Sequence, residues 1–399
     1  MQDIFEQEMQ RSTLFVDRNV LSPHFIPDTL PHREKEIDRI MKCVAPALSG
    51  KLMHNLFIYG KTGTGKSAST KHVIDKLLKV KDKYKAAVDC IYVNCRILNT
   101  KYQIMLKCAE YCYPDESFLG FPFSHLFERV MKYIGENNCN FVVVLDEVDK
   151  VKNLDDLMYT LTRANDELKS GRISMIGISN NVQFKEQLDP RSKSALCEEE
   201  MVFAPYNAEQ LGDILLQRTK MGYKPEVVSE SAVSLASALA AHESGDARYA
   251  LKLLLKAGEL ADEAGEPRIV DSHISKARKG VEEEIVYDVV KTLPEQQKIV
   301  LYAIAQLTME GGHYTRLDGI SDEKVLLSGE VYERYEGLCR TLEQEARSAR
   351  WCREYMNELE MLGMITTTIS GKGFRGNTTL IRLAFPPEKI IDIVRKHFE

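Results

Sequence analysis

The chain has 399 residues, 44% hydrophobic and 28% charged, and its 53 Lys and Arg against 59 Asp and Glu leave a net charge of −6. That length supports two to three domains of about 150 residues each, and the charge balance excludes a global basic field, so any nucleic-acid contact must come from local clusters. No apolar run approaches the ~18 residues of a membrane span, the N-terminal MQDIFEQEMQRS lacks a secretory apolar stretch, and nine scattered cysteines form no Cys-x-x-Cys pair, so secreted, membrane and fibrous classes are excluded.

From about residue 50, short apolar strand candidates alternate with helical patterns. Residues 55–59, 86–93, 141–145 and 172–179 read as strands, and 66–78 and 154–168 as helices, with further helical material up to Tyr133. Strands separated by helices imply crossover connections and a parallel sheet covered on both faces. Beyond about residue 205 the strand pattern ends. Residues 207–219, 229–242, 246–264 and 271–280 have helical periodicity, interrupted by Gly265-Glu-Pro267, and 282–292 continue as a helical connector. From Pro294 onward several helices precede two threonine-rich strands around a glycine turn. The expected domains are 1–205 (with an N-terminal arm to about 20), 206–284 and 285–399.

Gly60-Lys61-Thr62-Gly63-Thr64-Gly65-Lys66-Ser67 fits G-x-x-x-x-G-K-[ST] between a strand and a helix, the context a phosphate-binding loop requires. Glycines let backbone N–H groups face phosphate oxygens without an intervening Cβ, and the helix N-terminus presents unpaired donors to an anion. Lys66 is placed for the β- and γ-phosphates, and the Ser67 hydroxyl for Mg²⁺. Some 80 residues later, Phe141-Val-Val-Val-Leu-Asp146-Glu147 is an apolar strand ending in two acids. In an open α/β sheet the ligand lies at such strand ends. Asp146 is expected to hold Mg²⁺, and Glu147 to orient and deprotonate an attacking water. Asp149 reads as a surface residue of the following turn.

Four further segments carry a family resemblance. Ile173–Asn180 ends a strand in a polar residue, like the first sensor of AAA+ ATPases. Leu188-Asp-Pro-Arg191 resembles the segment bearing the arginine finger, and Gly245-Asp246-Ala-Arg248 the second sensor at the start of a lid helix. Phe25-Ile26-Pro-Asp-Thr-Leu-Pro31-His-Arg33-Glu34 resembles the box that grips adenine. Together they resemble the archaeal origin-recognition and cell-division-control (Orc/Cdc) type AAA+ replication initiators, from about residue 15 to the C-terminus. The resemblance implies an α/β AAA+ core with a parallel sheet and helices on both faces, an all-α lid and a C-terminal winged-helix domain. It implies ATP or ADP with Mg²⁺ as cofactors, bound by Phe25, Ile26, Arg33, the loop from Gly60 to Ala68, Tyr206 and Arg248. It also implies Asn180 as the residue that senses the attacking water or γ-phosphate, and Arg191 as a group acting on a neighbouring subunit's nucleotide. Ser194 stands where some relatives have a second arginine.

Residues 94–129 match where these initiators insert a DNA-touching helical element. Tyr102, Leu106 and Ala109 have helical spacing, with Arg96, Lys101 and Lys107 nearby. The same pattern fits an amphipathic helix packed on the core. Residues 281–399 carry 15 Lys and Arg against 20 Asp and Glu, a balance that argues against nucleic acid, while the local pattern argues for it. In 347–362, Ala349, Cys352, Met356, Leu359 and Leu362 form one stripe, with Arg347, Arg350 and Arg353 roughly opposite. A helix entering a major groove reads bases with its N-terminal residues. The two strands 364–370 and 378–383 then hold Lys372, Gly373 and Arg375 at their tip, with Asn377 where some relatives have a basic residue. Helices followed by such a β-ribbon make a winged helix.

The expected function is an ATP-dependent replication initiator with slow hydrolysis. It would bind double-stranded origin DNA through Arg96, Lys101, Arg347, Arg350, Arg353, Lys372, Gly373 and Arg375. Expected partners are a replicative helicase of the minichromosome maintenance type and paralogous initiators, with no membrane, in a cytoplasmic, nucleoid-associated setting. The alternative is a P-loop winged-helix transcription regulator or signalling switch.

Overall fold

The computed structural model describes residues 13–181, 184–186, 188–196, 199–311, 325–369 and 379–398. The chain divides into two compact units, residues 1–274 and 275–399. Helix α1 spans Glu34–Leu48, strand β1 Leu56–Tyr59, helix α2 Lys66–Tyr84 and strand β2 Val88–Asn94. Helices α3 (Lys101–Cys112) and α4 (Phe123–Asn137) precede β3 (Asn140–Asp146), α5 (Leu154–Glu167) and β4 (Arg172–Ser179). A short α6 (Pro190–Leu196) leads to β5 (Glu199–Val202).

These strands form one parallel sheet in the order β2-β3-β4-β1-β5. Successive side chains on a strand face opposite sides, and the core divides accordingly. Phe57, Tyr59, Phe141, Val143 and Leu145 pack with residues of α3, α4 and α5. Leu56, Ile58, Val142 and Val144 pack with α1 and α2 on the other face. Burial on both sides explains why the central strands are continuously apolar. The edge strand β5, Glu-Glu-Met-Val, buries only Met201. Four residues with two acids give no apolar run, so this fifth strand lies beyond what the pattern of four strands revealed.

The lid helices are α7 (Ala208–Gly222), α8 (Glu230–Glu243) and α9 (Ala247–Glu263), followed by α10 (Asp271–Thr292) as a single helix. Asn207 and Gln210 cap α7 reciprocally, and Asp246 accepts the N–H groups of Arg248 and Tyr249 at the start of α9. The segment before α1 is tied to this lid. Val16 donates to the Gly222 carbonyl, and Arg218 donates to the carbonyls of Val20 (3.1 Å) and Phe25 (3.0 Å).

In the second unit, α11 (Glu295–Glu310) packs with α12 (Ser328–Thr341), α13 (Ala349–Met361) and α14 (Pro387–Phe398). Strand β6 (Leu326–Leu327) pairs with β8 (Thr379–Leu383), which pairs with β7 (Ile365–Ile369), all antiparallel. This is a winged-helix arrangement of helices and β-ribbon. Helix α14 is not distinguished by the sequence pattern. Helix α13 also starts later than the 347–362 segment predicts, at the first residue of the apolar stripe. Its N-cap is Ser348, so Arg347 precedes it, with its backbone held by the hydroxyls of Tyr335 (2.9 Å) and Tyr332 (3.3 Å). Cys352, Met356 and Leu359 are buried, whereas Ala349 and Leu362, at the helix ends, are exposed. Lys372, Gly373, Arg375 and Asn377 lie outside the described residues. Among the described residues no helix is long and apolar enough to cross a membrane.

Candidate nucleotide site

A cleft of about 420 Å³ opens between the C-terminal strand ends and the lid. Its walls come from several parts of the chain. Gly63 to Ala68 supply the phosphate loop, Asp146, Glu147 and Asn180 the ends of β3 and β4, and Arg248, Leu251 and Arg218 the lid. Phe25 and Ile26 close the remaining side together with Tyr206.

The loop is held tightly from below. Lys66 is buried and donates through Nζ to the carbonyls of Gly60 (2.7 Å) and Lys61 (2.6 Å), while Thr64 Oγ1 donates to Lys61 (2.9 Å). Burial, and then the nearby charge of Arg248, lower the Lys66 ammonium from 10.5 to about 8. A cation so destabilised is stabilised again by an anion. Gly63 and Gly65 have φ of 66° and 89°, a region that disfavours side chains. A Cβ on Gly63 would also overlap the Asp246 carboxylate, because the lid docks there. The Ala247 N–H donates to the Gly63 carbonyl at 3.2 Å.

Asp146 accepts hydrogen bonds from Ser67 Oγ at 3.2 Å and from the Tyr92 hydroxyl. Burial first, and Asp146 second, push the Tyr92 phenol well above its ordinary value, so it stays a donor. Glu147 has φ 55° and ψ 48°, unfavourable for a residue with a Cβ. Such strain collects at functional sites, and the turn takes Glu147 out of the strand direction at the cleft. Asp149 is not the surface residue expected from the sequence. Its side chain is 10% exposed and accepts from Ser179 Oγ at 2.7 Å, joining the tips of β3 and β4. A short turn folds it back under the strand ends, which position in the sequence alone did not reveal.

Other predicted site residues lie outside the lining of the cleft or at its edge. Arg33 is buried behind the loop rather than among the residues lining the cleft. It donates to Thr64 O (2.8 Å) and Ala204 O (2.6 Å), with its guanidinium over the Tyr206 ring at 3.9 Å. It braces the loop against the hinge to the lid. Gly60, Lys61 and Thr62 also lie outside the lining, the first two as acceptors for Lys66. Arg191 is exposed on α6, away from this chain's own cleft. Arg96, expected to meet DNA, lines the cleft mouth beyond β2.

Lys101 begins α3 with its ammonium over the Phe123 ring at 4.3 Å. The buried face of α3 is Ile104, Met105, Cys108, Ala109 and Cys112, and it packs on the core. Tyr102 and Leu106 lie at its margin, so the true apolar face is rotated from the predicted one. Arg350 and Arg353 are exposed on α13.

Sequence reading missed Gln217 and Arg218 in the lid wall. Their Oε1 and Nε are buried without a partner among the described residues. Burial alone lowers Arg218 to about 10. The signal was present, since Leu211, Ile214, Leu215 and Arg218 share the buried face of α7 and an arginine there is unusual.

The residues fit a magnesium nucleotide. An unpaired acceptor and donor in the wall, a buried ammonium and a glycine loop suit base and phosphates. Among the described residues no cluster of three His, Cys, Asp or Glu could hold a metal alone. One hydroxyl and one carboxylate suit Mg²⁺, which keeps waters and leans on substrate phosphates.

The fold and cleft define an AAA+ ATPase-type body with a helical lid, carried on one chain with a winged helix. Family models agree in the same order: the AAA domain over residues 53–185, the Cdc6 AAA+ ATPase-type lid domain over 212–279 and the CDC6 C-terminal winged helix domain over 288–393. The ORC1-type DNA replication protein of Pyrococcus horikoshii is 39% identical, covering 99% of this chain and 93% of its own. The structure of the Aeropyrum pernix ORC1 protein in complex with DNA is 37% identical with a TM-score of 0.80, covering 97% of this chain and 98% of its own. The Aeropyrum pernix ORC2 protein, solved as ADPNP and ADP complexes, shares the fold at 23% identity and a TM-score of 0.64, covering 96% of this chain and 98% of its own. The chain belongs to the ORC1-type DNA replication protein family, and so to the archaeal Orc/Cdc type AAA+ proteins that its motifs resemble.

Proposed function

We propose that the chain is an ATP-dependent initiator that binds origin duplex DNA and helps recruit or load the replicative helicase, with ATP binding and slow hydrolysis as the switch. One observation carries this reading. Lys66, Ser67, Asp146 and Glu147 converge on a cleft whose opposite wall is the lid residue Arg248, on a chain that also bears a winged helix. Its kinship with an ORC1 protein solved on DNA supports the choice of duplex as partner.

In this reading Lys66 would leave the Gly60 and Lys61 carbonyls for β- and γ-phosphate oxygens, and Ser67 with Asp146 would hold Mg²⁺, which would neutralise phosphate charge. Glu147 accepts the proton of the attacking water, and Asn180 orients it. Arg248 adds positive charge from the lid, so nucleotide state changes how the lid meets the body at Gly63 and Asp246. Arg191, exposed on α6, serves a neighbouring subunit. Lys101, Arg347, Arg350, Arg353, Lys372, Gly373 and Arg375 meet DNA, and Arg96, which lines the cleft, is within reach of the nucleotide as well.

Footprinting on repeated origin elements, with and without ATP, tests the proposal. Nucleotide-dependent protection of an origin supports it, and protection confined to a single operator supports a transcription regulator instead.

A further inference from the structure

Asp146 has a partner that neither the phosphate-loop motif nor the acidic strand end accounts for. Tyr92 lies on β2, where it pairs in register with Val144 of β3, two residues before Asp146. Its hydroxyl reaches across to Asp146 Oδ2. The other carboxylate oxygen, Oδ1, accepts from Ser67 Oγ at 3.2 Å and from the Glu147 N–H at 3.1 Å. The ring is fixed as well, with the Lys71 ammonium 4.8 Å from its centroid. Lys71 stands one helical turn beyond Ser67 on α2, and it lines the same cleft.

We infer that Tyr92 is a positioning residue for the magnesium-holding pair: its hydroxyl fixes Asp146 so that Oδ1 and the Ser67 hydroxyl face the metal's water shell together. The inference rests on the magnesium-nucleotide reading of the cleft given above. Its chemistry is general. A carboxylate that holds a metal directly or through water is oriented by hydrogen bonds from outside that shell, and an unsupported carboxylate rotates among several arrangements. Tyr92 occupies Oδ2, which takes that oxygen out of competition, and the strand register keeps the ring from following the carboxylate. A phenol also donates without adding charge, so Asp146 keeps its full attraction for a cation. A basic residue at position 92 would hold Asp146 equally well but would compete with magnesium.

The test is Tyr92→Phe in the full chain, which keeps the ring beneath Lys71 and removes only the hydroxyl. A fluorescent ATP analogue is titrated first in EDTA and then across a magnesium series, and the Mg²⁺ concentration for half-maximal hydrolysis is measured. Loss of an outer partner typically weakens a metal site by about tenfold or more, so the half-maximal concentration should rise about tenfold. Affinity in EDTA should match that of wild type, and hydrolysis at saturating magnesium should approach the wild-type rate.

An unchanged magnesium dependence in Tyr92→Phe would overturn the inference. So would equal weakening with and without magnesium, accompanied by a lower melting temperature, because that is the mark of a packing role. Tyr92→Lys gives a second reading. It should lose magnesium dependence through competition while retaining nucleotide in EDTA, and magnesium binding at wild-type strength in that variant would also overturn it. If the wild-type chain itself shows no magnesium-dependent nucleotide binding, the reading of the cleft fails first, a result distinct from any difference between variants.

Discussion

The cleft in the first unit and the winged helix in the second hold their functional groups in opposite ways. In the cleft, the groups at the phosphate loop are fixed by other parts of the protein: Lys66 by Gly60 and Lys61, Asp146 by Ser67 and Tyr92, the loop by Arg33 and the lid by Gly63. In the winged helix, Arg350 and Arg353 stand exposed on α13, with no fixed partner among the described residues defining their pose. A site that performs chemistry on phosphates must be preorganised. A surface that meets DNA gains much of its affinity from long-range charge, which tolerates loosely held side chains.

The largest effect that would break this comparison lies in the cleft. Glu147→Gln should keep ATP binding and lose hydrolysis by about 10²–10⁴-fold, the usual contribution of a positioned general base. Single-turnover hydrolysis checks it, and turnover at the wild-type rate would remove Glu147 from its assigned role.

A smaller effect concerns pH. Burial, and then the charge of Arg248, lower the Lys66 ammonium from its ordinary 10.5 to about 8, and bound phosphates favour its charged form. Below pH 8 the ammonium is already protonated, so affinity is flat. Above pH 8 binding must take up a proton, so affinity should fall by about tenfold per unit until the pKa of the bound state is reached. Calorimetry in buffers of different ionisation heat reads that uptake, and a pH-independent affinity between 7 and 9 would contradict it. The smallest effect is expected at the winged helix. Lys372→Ala with Arg375→Ala should weaken binding to every duplex and reduce the salt slope by about 2, near 0.9 for each phosphate left without its cation.

The same contrast explains what the sequence made legible. Gly60 to Ser67 could be recognised because backbone geometry is the chemistry there, and only certain residue types permit it. The strands 141–145 and 172–179 were visible because burial on both faces demands continuous apolar runs. Strand β5 was hidden because an edge needs little apolar character, and α13 begins at Ala349, just after the Arg347 assigned to it. Position in sequence could not show that Arg33 braces the loop, that Asp149 folds beneath Ser179, or that Arg96 ends at the cleft mouth. Those outcomes depend on which strand ends lie side by side, a property of sheet order and not of local pattern.

The central claim is that a triphosphate is held jointly by the α/β body and the lid. Calorimetric titration of the full chain with ATP in magnesium buffer tests it most directly, alongside Lys66→Ala and Arg248→Ala. The account predicts saturable one-to-one binding by the wild type, abolished by the body variant and weakened by the lid variant. No saturable binding by the wild type, or wild-type affinity in Arg248→Ala, would contradict it.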